Sequence, residues 1–167
     1  GSLDGSLYIL QIWDKDELGL QQLVIDDKDS HRAEITDVDF VDNIEGVKYA
    51  FLTSSKDGFA KLWQVDNSDT TATLLETFAH EEPLSSVTKV KINGYTYIFT
   101  AGDERICQWS LNQPPDAAGC EMNAFYSPNT TAFEIVEMRN KHYLISATLD
   151  GNIHVFQLFG RKKPVTM

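Results

Sequence analysis

Cysteine and proline are scarce in this chain, and each shortage argues against a class of protein. Two cysteines, Cys107 and Cys120, are too few for the disulfide framework of a small secreted domain, and they fit a reducing compartment. Five prolines among 167 residues, together with 42% hydrophobic and 11% aromatic residues, are typical of a folded protein rather than a disordered tail. The chain is long enough for one domain with a sizeable core.

Basic residues and long apolar runs are also lacking. The 14 basic residues are outnumbered by 25 acidic ones, and the formal net charge of -11 repels phosphate backbones, so we expect no nucleic-acid binding. The negative charge suits basic protein segments, or it serves only to keep the protein in solution. No apolar run approaches the roughly 18 residues that span a bilayer, and no basic-then-apolar signal pattern opens the chain. The composition therefore predicts a cytoplasmic or nuclear protein without a membrane partner.

A strand-and-turn unit recurs along the chain at a nearly constant spacing. Its turn residues Asp57, Asp103 and Asp150 stand 46 and 47 residues apart, and each precedes an aromatic residue by six positions. Those aromatic residues are Trp63, Trp109 and Phe156. Repetition at such a period indicates a solenoid, a propeller or an array of similar units.

Short strand-like runs separated by turn residues fill each period. Residues 35–40 alternate with period two, and Asp57-Gly58 is a strong hairpin signal between two further runs. No segment has a convincing helical pattern, and 112–119 contains Gln113-Pro114-Pro115-Asp116, which predicts a long connection. The predicted strands are 20–25, 35–40, 49–53, 60–65, 73–78, 87–92, 95–100, 105–111, 121–126, 133–138, 143–148 and 152–158.

Four strands per period, with Trp closing the third, resemble the WD40 family of β-propellers. In that family a His before the first strand, a Ser or Thr in the second strand, the turn Asp and the Trp form a hydrogen-bonded tetrad. The resemblance implies three such sets, in order along the chain: His31, Ser55 (with Thr53 as the alternative), Asp57 and Trp63; His80, Thr100, Asp103 and Trp109; and Thr148 with Asp150.

The implied tetrads have a structural role. A buried indole N–H and a buried hydroxyl each need a partner, and a turn Asp can accept several hydrogen bonds. We expect the loss of Asp57 or Asp103 to destabilise the fold by about 1–3 kcal/mol. The sequence also departs from the family pattern, since Ser30 and Ala79 replace the usual Gly before each His and Phe156 replaces the last Trp.

The resemblance predicts a single all-β domain of about three and a half propeller blades, each of four antiparallel strands. A degenerate first copy runs from Asp4-Gly5 to Trp13-Asp14. Because propellers close with four to eight blades, we expect a larger ring or one that a second chain completes. The predicted units are a partial blade 1–25, blades 31–79 and 80–127, a partial blade 128–160 and a basic tail 161–167.

The repeat places the candidate residues for catalysis or metal binding on separate sheets. Lys61, Cys107 and His154 stand four residues after successive turn aspartates. A Cys–His nucleophile pair or a metal site among them is disfavoured, because equivalent points on neighbouring packed sheets lie about 10 Å apart. The sequence has no Gly-rich phosphate loop, serine nucleophile elbow or Cys-x-x-Cys pair. We predict no enzyme, no cofactor and no metal.

Charged residues gather at positions that the repeat places on one rim. This pattern predicts a non-catalytic protein–protein interaction scaffold of the WD40 type that binds a basic peptide or a partner subunit. One alternative is a substrate receptor of a ubiquitin ligase. WD40 proteins that bind one such ligase adaptor carry a Trp-Asp-x-Arg signature, and Trp13-Asp14-Lys15-Asp16 lacks its Arg. Another is a propeller enzyme. The rim residues are Asp26, Asp27, Asp29, Arg32, Glu81, Glu82, Glu104 and Arg105.

Overall fold

The chain folds into antiparallel β-sheets in a computed structural model. The structure describes residues 3–12, 18–42, 44, 47, 49–65, 71–111, 120, 124–159 and 165–166. Within these ranges it contains no α-helix, and so no helix that is long and apolar enough to cross a membrane.

Fourteen strands are present in the described ranges, and they run in chain order. Their bounds are β1 Tyr8–Ile12, β2 Leu18–Gln22, β3 Ile35–Val41, β4 Ala50–Ser55, β5 Phe59–Val65, β6 Ala72–Ala79, β7 Ser86–Ile92, β8 Tyr95–Ala101, β9 Arg105–Ser110, β10 Ala124–Tyr126, β11 Thr130–Met138, β12 Lys141–Thr148, β13 Ile153–Gln157 and β14 Val165–Thr166.

Each sheet is a meander in which strands adjacent in sequence are hydrogen-bonded. A β1-β2 hairpin is followed by three four-stranded sheets with the orders β3-β4-β5-β6, β7-β8-β9-β10 and β11-β12-β13-β14. We call these three sheets the first, second and third sheet. The predictions of an all-β fold and of antiparallel four-stranded units are confirmed, while the described part of the chain shows no closed ring of sheets.

The main differences from the predicted strands lie near the chain ends. The predicted strand 20–25 is shifted to Leu18–Gln22, since Val24 leaves the hairpin to bridge Thr71 in parallel. Ala124–Tyr126 forms a strand within the predicted 121–126, and 121–123 lie outside the described residues. The predicted tail 161–167 contains β14, which pairs with β13 and gives the third sheet its fourth strand. Residues 13–17, 112–119 and 161–164, which include the Trp13-Asp14 pair, the predicted long connection and the basic cluster, lie outside the described residues.

Apolar side chains on both faces of the sheets stack them in chain order. Successive residues of a strand point to opposite faces, so Ile98 of β8 packs toward the first sheet while the next residue, Phe99, packs toward the third. In the same way, Leu62 of β5 lies between the first and second sheets, and Trp63 faces the β1-β2 hairpin. Three apolar layers therefore hold four units together.

Acidic side chains of β3 join the first strands of neighbouring sheets. The Asp37 carboxylate accepts hydrogen bonds from the Ser86 hydroxyl at 2.6 Å and from the Val87 N–H at 3.1 Å. Asp39 is bound in the same way by the Thr88 hydroxyl at 3.0 Å and the Lys89 N–H at 3.2 Å. These partly buried bonds fix the register of β7 against β3. Both carboxylates therefore have a structural role.

One edge of the stack, which we call the upper rim, collects the loops that position the candidate site. It comprises the links before β3, β7 and β11 and the turns that join the second and third strands of each sheet. The turns touch the following links directly: the Gly58 carbonyl accepts the His80 N–H at 3.0 Å, and the Glu104 carbonyl accepts the Ser127 N–H at 3.0 Å. Gly58 has a φ of +86°, which favours glycine at this turn.

Leu52 tests the packing between the first two sheets. Its side chain is fully buried among residues of both sheets, so Leu52→Ala should lower the free energy of unfolding by about 2–5 kcal/mol, through lost burial and a residual cavity. Val38, which is 45% exposed on the same sheet, is the control, and Val38→Ala should cost less than about 1 kcal/mol. Urea unfolding of both variants measures the difference, and equal costs would contradict this packing.

Candidate functional site

A chain of buried hydrogen bonds ties the link before β3 to the first sheet. The Trp63 indole N–H donates to the Thr53 hydroxyl at 2.9 Å, and Thr53 Oγ1 lies 2.7 Å from His31 Nε2. The other ring nitrogen, His31 Nδ1, is 2.9 Å from Asp57 Oδ2. A neutral imidazole protonated on Nδ1 satisfies every bond in this series.

The hydroxyl in this series belongs to Thr53, so the prediction that placed Ser55 in it ahead of Thr53 is wrong. Thr53 lies opposite Lys61, and its side chain reaches both rings. Ser55 instead donates to the Ala33 carbonyl at 3.2 Å and accepts the Asp57 N–H at 3.1 Å. Since side chains alternate along a strand, Thr53 and Ser55 share a face, and the sequence pattern alone did not separate them.

Burial and hydrogen bonding set the charge states in this series. Burial lowers the pKa of His31 more than the Asp57 carboxylate raises it, so the ring is neutral near pH 7. Burial alone would raise the pKa of Asp57, but the hydrogen bonds from the Arg32 N–H and from His31 outweigh it and lower that pKa. Asp57 therefore holds the rim turn and the link together as an anion.

The second sheet repeats the Trp, Thr and His members of the series, with the His ring turned so that Nδ1 instead of Nε2 meets the hydroxyl. The Trp109 indole N–H donates to Thr100 Oγ1 at 2.9 Å, and His80 Nδ1 lies 2.8 Å from the same oxygen. Asp103, the predicted acceptor, is exposed, and its carboxylate makes no hydrogen bond to another residue within the described ranges. The assignment of Asp103 is therefore corrected.

Glu82 is the carboxylate that faces His80. Its Oε2 lies 3.8 Å from His80 Nε2 and accepts the Glu104 N–H at 3.0 Å, while its Oε1 accepts the Arg105 Nε–H at 2.7 Å. Gly102 makes this approach possible, since a Cβ there would stand 2.5 Å from His80 Nε2 and 2.7 Å from Glu82 Oε2. Four residues separate the last paired residues Ala101 and Ile106 here, whereas five separate Ser54 and Ala60 in the first sheet, and Asp103 lies exposed on this shorter turn.

In the third sheet Ser127 stands where the other sheets have His. It follows His80 by 47 residues, one repeat period, and its buried hydroxyl lies 2.7 Å from Ser146 Oγ. The predicted pair of Thr148 and Asp150 is also bonded: the Thr148 hydroxyl donates to Asp150, and Asn152 Nδ2 donates to the same carboxylate at 2.7 Å. That pair forms a local turn, separate from Ser146. The period of the repeat was the signal that could have identified Ser127.

Lys61, Cys107 and His154 contact the link of their own sheet, not one another. Lys61 Nζ donates to the Asp29 carbonyl at 2.6 Å, and His154 Nδ1 lies 3.2 Å from Ser127 Oγ. Cys107 Sγ lies 3.5 Å from His80 Nε2. A Cys–His pair therefore does form, but within one repeat, because the link carries its His onto the strand that holds the Cys.

The two cysteines are joined to each other, although their small number suggested a reducing compartment. A disulfide connects Cys107 of β9 to Cys120 in the connection to β10, with a Cα–Cα distance of 5.0 Å. Cys107 and His80 are fully buried, and Cys120 is 5% exposed. The three side chains form one cluster whose ligand atoms lie within 4.8 Å of one another.

Seven of the eight predicted rim residues lie in the links and turns of the upper rim, and the eighth, Arg105, begins β9 beside it, but they are not equally available. Glu82 and Arg105 are paired with each other, and Asp26 is paired with Lys28 at 3.3 Å. The exposed residues of the predicted set are Asp26, Asp27, Arg32, Glu81 and Glu104, while Asp29 is half-buried. Asp103 adds an exposed carboxylate to this surface.

Two grooves lie at equivalent junctions of the upper rim, and both combine acidic with apolar walls. The first, of about 480 Å³, lies between the turn at Asp4 and the link before β3, and Val24 and Asp27 contribute to its walls. The second, of about 340 Å³, lies between the turn at Gly58 and the link before β7, with Phe59 and Glu81 on its walls. Lys56 also lines the second groove, but it is paired with Glu34 at 2.5 Å.

No protein-family model matches this chain, and no curated protein matches its sequence.

The two turn aspartates should differ in their effect on stability. Asp57→Ala leaves the buried His31 Nδ1–H and two backbone N–H groups without their acceptor, so it should cost about 1–3 kcal/mol of unfolding free energy. Asp103→Ala, its repeat-matched control, removes an exposed carboxylate and should cost less than about 0.5 kcal/mol. Urea unfolding compares the two, and equal losses would contradict the exchange of Asp103 for Glu82.

The buried histidines should make stability depend on pH. Burial lowers the pKa of His80 from 6.5 to about 4, and burial also lowers that of His31. Between pH 6.5 and 4 the unfolded chain therefore binds protons that the native chain does not. The free energy of unfolding should fall as the pH is lowered through this window, by up to about 3 kcal/mol for His80.

Urea titrations in metal-free buffer at intervals between pH 7.5 and 5 would measure this slope. The lower limit avoids the carboxylates Asp57 and Glu82, whose pKa values are lowered and whose contribution is lost only in more acidic solution. A free energy of unfolding that stays constant would show that these histidines titrate normally in the native state, and one that rises as the pH is lowered would show that their pKa values are raised.

Proposed function

We propose that the sheets are WD40-type propeller blades and that the chain acts in the cytoplasm or nucleus as a non-catalytic interaction scaffold. The observation that supports this proposal is the pair of grooves on the upper rim, at Asp27 and at Glu81, each with an acidic and an apolar wall. A repeat that presents the same kind of groove at successive junctions suits an extended partner that lies along the rim.

The chemistry of the grooves selects the partner. The exposed carboxylates of Asp27 and Glu81 attract cations, and the exposed side chains of Val24 and Phe59 offer apolar contact beside them. The net charge of -11 adds long-range attraction for a basic chain. The partner is therefore a protein segment in which Lys or Arg alternates with apolar residues.

The polar series below the rim supports a structural rather than catalytic use of its histidines. In both of the first two sheets, the His is bonded to a hydroxyl that also accepts the indole N–H of a buried or partly buried Trp. These bonds hold the links in place, so that the grooves are rigid before a partner arrives. Rigid surfaces lose little conformational entropy on binding.

Selection from a random peptide library, followed by measurement of affinity for the selected peptides, tests the proposal. We expect peptides that combine basic and apolar residues, with binding that weakens as salt is raised. Asp27→Lys and Glu81→Lys should each reduce affinity about 10-fold or more at low salt, because they place like charges together. Glu137→Lys, an exposed charge near the opposite edge of the third sheet, is the matched control and should reduce affinity less.

Two outcomes would overturn the proposal. Selected peptides without basic residues would remove the chemical rationale. Equal loss of affinity in Asp27→Lys, Glu81→Lys and Glu137→Lys would show that only the net charge of the chain matters and that the grooves are not the binding surface.

A further inference from the structure

Among the residues that the structure describes, the cluster of His80, Cys107 and Cys120 in the second sheet has no counterpart in the other two sheets. At the positions of His80 and Cys107, the first sheet has His31 and Lys61, and the third has Ser127 and His154. Only the second sheet therefore brings a thiol beside a buried imidazole, and a second thiol completes the group. The polar series explains the His80–Thr100 bond, but it does not use the two sulfurs.

We propose that in its reduced form the second sheet binds a thiophilic divalent cation such as Zn²⁺ through His80 Nε2, Cys107 Sγ and Cys120 Sγ, with Glu82 at the fourth position. Imidazole nitrogen and thiolate sulfur are the ligands that Zn²⁺ prefers, and four ligands complete its usual tetrahedral shell. All three primary ligands are buried, as in structural sites that are closed to solvent.

The spacing of the ligand atoms suits such an ion. Tetrahedral bonds of about 2.0–2.1 Å to nitrogen and 2.3 Å to sulfur place N and S roughly 3.5 Å apart. His80 Nε2 and Cys107 Sγ are already 3.5 Å apart, and Cys120 Sγ lies within 4.8 Å of both. The sulfurs only have to separate from bonding distance, while β9 and the connection that carries Cys120 stay in place.

The surroundings orient the ligands. Thr100 Oγ1, 2.8 Å from His80 Nδ1, holds the ring so that Nε2 faces the sulfurs, which is the usual arrangement behind a metal-binding His. Glu82 Oε2 stands 3.8 Å from the same Nε2, and Arg105 binds its other oxygen at 2.7 Å. Two thiolates and the Glu82 carboxylate balance the divalent ion and the Arg105 guanidinium, so the loaded site carries no net charge.

The step from disulfide to metal site requires a reductant and releases protons. A dithiol supplies two electrons and two protons, which break the Cys107–Cys120 bond, and it becomes a disulfide itself. The divalent ion then displaces both thiol protons to solvent as its two sulfur bonds form. Metal binding and the disulfide are therefore mutually exclusive states of the same pair of cysteines.

Titration of the reduced, metal-free chain with Co²⁺, a coloured substitute for Zn²⁺, tests the proposal. We expect a thiolate-to-cobalt charge-transfer band that saturates at one equivalent and is abolished by added Zn²⁺. Cys107→Ser and Cys120→Ser, each nearly the size of the original residue, should weaken binding by at least about 100-fold. The control His154→Gln changes the residue equivalent to Cys107 in the third sheet and should leave the band unchanged.

A second measurement remains informative if a cysteine variant fails to fold. Zn²⁺ should raise the thermal midpoint of the reduced wild-type chain and leave that of the oxidised chain unchanged. Absence of the band in folded, reduced protein would overturn the proposal, as would a band that persists in Cys120→Ser. Equal Zn²⁺ stabilisation of the oxidised chain would also overturn it, since the ion would then bind elsewhere.

Discussion

The hydroxyl of Thr53 illustrates the constraint that shapes the whole molecule: a buried indole N–H must find an acceptor. Trp63 is fully buried, so water cannot reach its indole N–H, which donates to the Thr53 hydroxyl instead. The same hydroxyl meets His31, and His31 meets Asp57, so that one buried donor determines where the preceding link and the rim turn must lie. The apolar layers supply most of the stabilisation, while this series supplies the alignment.

The second sheet shows how a repeat can keep this constraint while changing its chemistry. Thr100 still joins Trp109 to His80, but the tighter turn at Gly102 moves Asp103 to the surface and leaves room for Glu82. The ring of His80 then presents Nε2 to Cys107, where the first sheet has Lys61. The second sheet therefore differs from the first both in turn length and in the two cysteines beside its His, while the order of its strands is the same.

The rim and the interior have separate physical roles. Carboxylates that are bonded inside the stack, such as Asp37, Asp57 and Glu82, hold strands and links in register. Carboxylates such as Asp27 and Glu81 stand exposed beside the grooves, where they are available to a partner. The distinction matters because the two groups have the same charge, and Glu81 and Glu82 are even adjacent in sequence, yet only the exposed group can exchange water for a ligand without disrupting the fold.

Local patterns in the sequence predict the β class, most of the strand positions and the antiparallel hairpins, because the alternation of apolar residues and the Asp57-Gly58 turn are signals that need no long-range contact. The period of 46 to 47 residues also placed the turn aspartates, and the aromatic residues six positions after them, at equivalent points of successive repeats. Long-range packing was needed to bring Thr53 instead of Ser55 between the rings, to place Glu82 instead of Asp103 beside His80, and to join Cys107 to both His80 and Cys120. These contacts depend on where the links cross the strands, and that crossing is set by the packing of whole sheets, which no local pattern encodes.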